Sequence, residues 1–257
     1  MTYGLHRGRN LRRLAVAAGL MVVLAGMSGC RHHKNAQLPP PQALPPAYRP
    51  PPARIPATPV PPGGVSAADL RYVATHRPIL SEVGYATWYT APYGRRAADG
   101  ELFNNGAMTA ANRTLPMGSL ITVTNLETGQ TGVMRITDRG PFVRGRIVDL
   151  TIASAKATGV YRMGIARVRM NVYRTPKPIA TGGRWCVQIG AFHNRRVAIR
   201  YEMHLRRRYP EANVIEFPGE RSYWVRIRPE GDNRAMAEYL ADHLRPPQGH
   251  AFLTRLD

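Results

Sequence analysis

Alternating apolar and polar positions dominate the middle of the chain and predict short strands. One alternating run is followed by the turn-forming residues Glu127–Gln130 and then by a second run, which predicts a hairpin. Thr151 precedes a short helical segment over 152–158 that ends at Gly159. The runs that predict strands lie at residues 86–89, 120–126, 131–136, 146–149 and 166–173. About six strands and one short helix in about 90 residues predict a small, mostly β barrel over residues 81–173.

The last quarter of the chain changes to a mixed pattern of strands and helices. One helix enters through Asn194, and the next follows a cap at Asp232-Asn233. The predicted order is βαββαβ, with strands at 185–192, 212–217, 222–228 and 250–255 and the first helix at 195–208. This order predicts a second domain, an α+β layer sandwich over residues 183–257, after a short linker at 174–182.

The pleat of the second domain's strands separates a core face from an open face. Val187, Ile189, Tyr223, Val225 and Ile227 are expected to pack on the helices. The residues left on the open face are then Gln188, Trp224, Arg226 and Arg228, with Cys186 beside them as a free thiol. An exposed Trp beside arginines and an amide suits a sugar ligand that carries carboxylates, and the alternative is an ordinary solvated face.

The N-terminus reads as a processing signal. Four arginines precede the apolar run 14–27, which is too short to span a bilayer as a helix and is typical of a secretory signal. The signal ends at Met27-Ser-Gly-Cys30, which resembles a bacterial lipobox and implies cleavage after residue 29 and acylation of Cys30. Arg31 in place of an Asp favours the outer membrane of a two-membrane cell. The alternative is an ordinary signal with an incidental cysteine.

A proline-rich segment separates the signal from the predicted barrel. Twelve prolines lie between Leu38 and Pro62, and proline lacks a backbone donor, so residues 30–80 are expected to form an extended, disordered tether. The formal net charge of +20 is consistent with an anionic polymer or an anionic lipid surface as partner. Export argues against nucleic acid, and two cysteines exclude a disulfide framework.

Seven segments of the predicted barrel carry a recognisable family pattern. They are Gly84–Tyr89, Ala98–Glu101, Met108–Asn112, Thr114–Gly118, Val123–Asn125, Thr137–Phe142 and Gly145–Leu150. In this order they resemble the rare lipoprotein A family. The resemblance implies a double-psi β-barrel, similar to the first domain of expansins, that acts as an endolytic peptidoglycan transglycosylase. Such a lyase cuts between MurNAc and GlcNAc, leaves 1,6-anhydroMurNAc ends and needs neither a metal nor a cofactor.

Three carboxylates are candidates for the chemistry that the resemblance implies. Glycosidic cleavage needs a carboxylic acid to protonate the leaving oxygen, and the sugar's C6 hydroxyl then attacks C1. Glu101 and Asp138 match the two acidic residues that carry activity in the family. Taken alone, Glu101 would be a solvated loop residue and Asp138 a turn residue. Asp149 is a weaker candidate, because it is also placed to pair with Arg146 or to cap the helix at Thr151.

One position departs from the family pattern. Asn112 stands where the family has a histidine, and an amide forms hydrogen bonds but does not carry a titrating proton. If the family histidine only orients a carboxylate, Asn112 suffices, and replacing it by His leaves activity equal or raises it. If it titrates, the protein is a weak or inactive enzyme, and the alternative function is that of a septal peptidoglycan-binding lipoprotein.

The second domain resembles the sporulation-related repeat, SPOR, through the motif Val187–Phe192. The resemblance implies binding to septal glycan strands that have lost their stem peptides, and hence enrichment at the division septum. Peptide-free glycan and a membrane held through the lipid anchor are therefore the expected partners. Proteins of the division site are further candidates.

Overall fold

The computed structural model of the chain describes residues 63–216 and 222–257. The predicted signal, Cys30, most of the tether and the turn Pro218–Arg221 lie outside the described residues. No helix within the described part is long and apolar enough to cross a membrane.

The first domain is the predicted barrel. Its strands close in the order β1-β5-β2-β4-β3-β6, with β1 and β5 parallel, β2 and β4 parallel, and the other neighbours antiparallel. A six-stranded closed barrel leaves no free sheet edge. The strands are β1 (Leu80–Trp88), β2 (Thr109–Ala111), β3 (Leu120–Asn125), β4 (Thr131–Asp138), β5 (Arg146–Leu150) and β6 (Ile165–Arg174).

Period-two alternation fills the barrel interior. In β6, the side chains of Ala166, Val168, Met170 and Val172 point inward, and the residues between them are more exposed. They join a core with Ile121, Val123, Met134 and Ile136 of β3 and β4. The short helices α2 (Ile152–Ala157) and α3 (Val160–Met163) follow β5, and Thr151 caps α2 as predicted.

The expectation of a disordered tether up to residue 80 was wrong for its last part. Helix α1 (Ala67–Thr75) and the start of β1 lie within residues that the sequence analysis assigned to the tether. Ser66 and Asp69 cap α1 reciprocally, and buried Asp69 also accepts hydrogen bonds from Arg135 at 2.6 Å and Arg174 at 2.8 Å. The segment is therefore ordered by ion pairs to β4 and β6, which a proline count does not reveal.

The second domain has the predicted βαββαβ order. Its antiparallel sheet runs β10-β7-β9-β8, and Asn194 and Asn233 cap its two long helices. The core beneath the helices contains Val187, Ile189, Val225 and Ile227, as the pleat predicted. The elements are β7 (Trp185–Phe192), α4 (Arg195–Arg206), β8 (Asn213–Glu216), β9 (Tyr223–Ile227), α5 (Arg234–His243) and β10 (His250–Arg255).

Candidate active-site cleft

A cavity of about 860 Å³ lies between one end of the barrel and the sheet of the second domain. The barrel and this sheet belong to one compact unit. The cavity includes two of the predicted catalytic carboxylates and two of the predicted glycan-binding residues. The lining residues that matter below are Tyr89, Arg95, Asp138, Asp149, Trp224 and Arg226.

Asp138, at the end of β4, is the most constrained carboxylate of the cavity. It is only 3% exposed. Its Oδ1 accepts hydrogen bonds from the backbone amides of Ala98 at 3.1 Å and Arg139 at 2.9 Å. Its Oδ2 accepts one from the Tyr89 hydroxyl at 3.1 Å and lies 3.4 Å from the Arg95 guanidinium. These four contacts fix the direction in which the carboxyl group faces.

Burial raises the pKa of Asp138, although Arg95, the two amides and Tyr89 act in the opposite direction. A carboxyl group with a raised pKa keeps its proton closer to neutral pH, which is the property that a general acid requires. Burial and the neighbouring Asp138 charge also raise the pKa of Tyr89 well above its usual value, so Tyr89 remains a neutral hydrogen-bond donor.

Asp149, on β5, lines the same cavity. Its Oδ1 accepts hydrogen bonds at 2.5 Å from both the Thr87 hydroxyl and the Arg146 guanidinium. Of the two structural roles weighed for Asp149, the structure contains the ion pair with Arg146, whereas α2 is capped by Thr151 itself. The fold thus brings Asp138 and Asp149 to one cavity, and both charges act on the pKa of Tyr89.

Glu101 lies apart from this pair. It is exposed in the loop between β1 and β2 and is not among the residues that line the cavity. Its backbone amide donates to the Asp99 carboxylate at 2.9 Å, and the Asp99 amide donates to the Thr137 carbonyl at 3.1 Å. Burial, together with the charges of Asp138 and Glu101, raises the pKa of Asp99. Asp99 therefore links Glu101 to the end of β4.

Asn112 occupies a structural position. It is 4% exposed and is not part of the cavity lining. Its Nδ2 donates to the Ile147 carbonyl at 2.9 Å, and its Oδ1 accepts from the amides of Thr114 and Leu115, also at 2.9 Å. These bonds hold the chain after β2 against β5. None of them joins the Asn112 side chain to the carboxyl group of Asp138 or Asp149.

The prediction of an open sugar-binding face was wrong for the centre of the sheet. Gln188 is fully buried and Trp224 is 5% exposed. The Trp224 ring lies 5.1 Å from the ring of Phe142, which belongs to the loop between β4 and β5. The face does lie opposite the helices, as the pleat predicted, but the barrel covers it.

Hydrogen bonds of the C-terminal residues of the second domain join the two domains. Arg139 donates to the Asp257 carbonyl at 2.7 Å, and the Arg255 amide donates to the Arg113 carbonyl at 2.8 Å. Two further residues of the predicted open face lie outside the cavity lining. The buried Cys186 is free, and burial raises its pKa to about 11, so it remains a thiol, as expected from the sequence.

Arg228 is exposed and pairs with Asp232 at 2.8 Å, away from the cavity lining.

The described residues contain no group of three His, Cys, Asp or Glu side chains arranged to hold a metal ion. The ionisable side chains that line the cavity are those of Asp138 and Asp149, two tyrosines and five arginines.

Comparison with known proteins matches both domains. The lytic transglycolase family model matches residues 81–170, and the SPOR domain model matches residues 181–252. The chain is 43% identical over 100 residues to the endolytic peptidoglycan transglycosylase RlpA of Vibrio cholerae, which is 38% of each chain. It is 35% identical over 150 residues to the protein of that name from Campylobacter jejuni, covering 47% of this chain and 54% of the relative.

A third relative, from Pseudomonas aeruginosa, carries the same name and is 45% identical over 89 residues, which is 34% of this chain and 26% of the relative. The chain is therefore similar to RlpA proteins over its barrel domain, and its C-terminal domain matches the SPOR domain. It spans between about a quarter and just over half of the length of these RlpA relatives. The matched RlpA barrel segment contains Glu101, Asn112, Asp138 and Asp149.

Two residues of the RlpA-type cleft were not singled out from the sequence. Tyr89 ends a predicted strand and Arg95 lies in an irregular loop, and both meet Asp138 only through the barrel fold. Tyr89 belongs to a segment that carried the resemblance. Its hydroxyl group, at the end of a strand expected to be buried, was the feature that could have marked it as a hydrogen-bond partner of a site residue. Arg95 carried no such signal.

Proposed function

We propose that this protein is an endolytic lytic transglycosylase that cleaves peptidoglycan glycan strands between MurNAc and GlcNAc and leaves 1,6-anhydroMurNAc ends. The observation that carries the proposal is the Asp138 carboxyl group, which is buried at the cavity, held by four contacts and raised in pKa. The names of the relatives support the same reaction. The preferred substrate is glycan without stem peptides.

In the proposed reaction, Asp138 acts first as acid and then as base. Protonated Asp138 transfers its proton to the glycosidic oxygen as the bond to C1 breaks, and the departing sugar leaves as an alcohol. The resulting Asp138 carboxylate accepts the proton of the C6 hydroxyl while that oxygen bonds to C1. No water enters the product, and Asp138 regains its proton for the next cycle.

The other groups support this cycle. The Asp149 carboxylate, across the same cavity, stabilises the positive charge that develops at C1. Tyr89 and Arg95 hold the reacting oxygen Oδ2 of Asp138 in place. We propose that the Glu101 side chain acts on the cleft at a distance, through its charge next to Asp99, whose backbone amide is bound to the end of β4.

The alternative function, a binding protein with an inactive barrel, depends on Asn112. The hydrogen bonds of Asn112 are structural and the side chain does not line the cavity. A missing histidine at this position therefore removes no group from the cleft. This geometry favours the enzyme.

The experiment is a digest of peptide-free glycan strands, with the products weighed by mass spectrometry. We expect fragments with anhydro ends, each 18 Da lighter than the product of hydrolysis because no water is added. Strands that still carry stem peptides serve as the comparison substrate and should be cut more slowly. Binding of the strands without any fragments would favour the alternative, and hydrolysed ends would exclude the lyase reaction.

We further propose an extracytoplasmic protein enriched at the division septum, with a lipid anchor at Cys30 in the outer membrane, on its periplasmic side. The SPOR domain supports the septal position, and the lipobox-like sequence supports the anchor.

A further inference from the structure

Arg226, on β9, is a partly buried cation without an anion. Among the residues that the structure describes, no carboxylate lies within ion-pair distance of it. Its Nη2 donates to the Gln188 side-chain oxygen at 3.2 Å, whereas its Nε is buried without a partner, as is the neighbouring Gln188 Nε2. A buried donor left unpaired costs free energy, so these groups point to a ligand that supplies acceptors.

Arg226 lines the same cavity as Asp138 and Asp149. The side chains that line this cavity carry more positive than negative charges. Five arginines and two aspartates line it. Arg95 pairs with Asp138, and Arg255 pairs with Asp257 at 3.0 Å. Arg226 also comes from the sheet of the second domain, but it has no carboxylate partner among the described residues. The cavity therefore favours an anionic ligand in contact with both domains.

We propose that the sheet of the SPOR domain forms one wall of the cleavage site, and that Arg226 binds a free lactyl carboxylate of the strand being cut. This inference rests on the proposed function and specifies its substrate. A stem peptide is joined to that lactyl group through an amide, which removes the negative charge. Arg226 would thus select the peptide-free sugar at the cleft itself, in addition to any binding of the SPOR domain elsewhere on the strand.

The same packing has a competing interpretation, in which the sheet simply blocks the barrel. The two interpretations predict opposite effects of Arg226. As a substrate-binding group, its loss weakens binding. If Arg226 instead helps to hold the sheet over the barrel, its loss would open the cleft and increase the turnover rate.

Arg228 provides a matched control. It lies two residues further along the chain, but it is paired with Asp232 and does not line the cavity. The experiment compares Arg226→Gln, Arg226→Lys and Arg228→Gln in the full chain. The substrates are peptide-free strands and the same strands with their lactyl carboxylates converted to methylamides. The readouts are kcat and KM from the release of anhydro-ended fragments, with circular dichroism as the fold control.

We expect Arg226→Gln to raise KM for the carboxylate strands by roughly 10- to 100-fold, the range of a lost charge-assisted hydrogen bond, with kcat within about twofold. On methylamide strands the variant and the parent should have equal KM values. Arg226→Lys should recover part of the loss, and Arg228→Gln should behave like the parent. Equal KM values for the two Gln variants on carboxylate strands, or faster turnover by Arg226→Gln, would overturn the inference.

A binding arm separates this inference from the proposed function. Equilibrium binding of the same two strands is measured in an Asp138→Asn background, where turnover is removed. If the parent releases no anhydro-ended fragments, the proposed function fails, and this arm decides the inference alone. Arg226→Gln must then weaken binding of the carboxylate strand and leave binding of the methylamide strand unchanged. An equal effect on both strands would reject a carboxylate-binding role.

Discussion

At the scale of single residues, the environment of Asp138 sets both the orientation and the proton affinity of the proposed general acid. Burial raises its pKa, while Arg95, the amides of Ala98 and Arg139 and the Tyr89 hydroxyl keep that increase limited. The same four groups also orient the carboxyl group. Position and proton affinity are therefore set together, and both depend on chain segments that are distant in sequence from Asp138.

The first prediction concerns Arg95→Gln. Because Arg95 lowers the pKa of Asp138, its removal should raise that pKa. Activity that needs protonated Asp138 is lost as pH rises through the pKa, so the alkaline limb of the kcat/KM profile should move to higher pH. The matched control is Arg96→Gln, since Arg96 also lines the cavity but binds the Gly100 carbonyl. An alkaline limb that stays in place or moves to lower pH would contradict the acid role.

The second prediction concerns Asn112→His. An imidazole cannot supply the one donor and two acceptor contacts that the Asn112 side chain makes, so the folded state should lose about 1–2 kcal/mol. The value of kcat/KM should stay within about twofold, because the side chain is not in the cavity lining. Thermal unfolding and fragment release measure the two effects. A tenfold gain in rate would show that position 112 acts in the chemistry.

At the scale of elements, α1 illustrates how a polar contact extends the barrel domain beyond its apolar pattern. Asp69 caps α1 and at the same time binds Arg135 of β4 and Arg174 of β6. Burial opposes ionisation of Asp69, but the hydrogen bonds from Arg135 and Ser66 hold the pKa of this carboxyl below its usual value. The carboxylate is thus a link between a helix and two strands.

The third prediction is that Asp69→Asn destabilises the folded chain by roughly 3 kcal/mol at pH 7, because half-buried Arg135 loses its anion. A lowered pKa adds stability above the unfolded pKa and loses it as pH falls through the folded value. The difference between parent and variant should therefore shrink below about pH 4. Denaturant unfolding at several pH values measures it. The exposed Asp242→Asn is the control, and an equal effect of both would contradict the linking role.

The elements show which parts of the fold the sequence predicts well. The bounds of β7 and β10 and the caps of α2, α4 and α5 follow from local pattern and capping chemistry, and they are confirmed. The three-residue β2 was not predicted because three consecutive buried residues show no alternation. The pleat correctly separated the faces around Trp224, but alternation cannot indicate that Phe142 covers one of them.

For the candidate site, too, local sequence features predicted single residues but not the contacts between them. Asp138 and Asp149 were found because the resemblance and the strand ends mark them. Their meeting with Tyr89, Arg95 and Arg226 at one cavity depends on barrel closure and domain packing, which leave no local signal in the sequence. Glu101 matched the family motif but lies outside the cavity lining, so its role is the least supported by geometry.

At the scale of the whole molecule, the proposed function combines an anchor with a cleft. A lipid anchor is proposed at Cys30, and the two folded domains line one cavity. The net charge of +20 suits a polymer whose free carboxylates are negative. Under the proposed function, binding and cleavage would take place at one site.

The fourth prediction tests the anchor. Cys30→Ala should remove the acylated residue, and the protein should move from the membrane fraction to the soluble or unprocessed fraction. Cys186→Ala is the matched control, since the Cys186 thiol is buried and free and should not affect membrane association. Immunoblots of salt-washed membranes provide the readout. A Cys30→Ala protein that still sediments with the washed membranes would reject the lipid anchor.

The role of Asp138 as the acid of a glycan-cleaving site can be measured by the rate at which Asp138→Asn releases anhydro-ended fragments from peptide-free glycan. The amide keeps the shape of the side chain but cannot transfer the proton. We expect a rate about 10²- to 10⁴-fold below the parent, with unchanged circular dichroism and retained glycan binding. A folded variant that cuts at the parent rate would contradict the assignment and move the acid to Asp149 or Glu101.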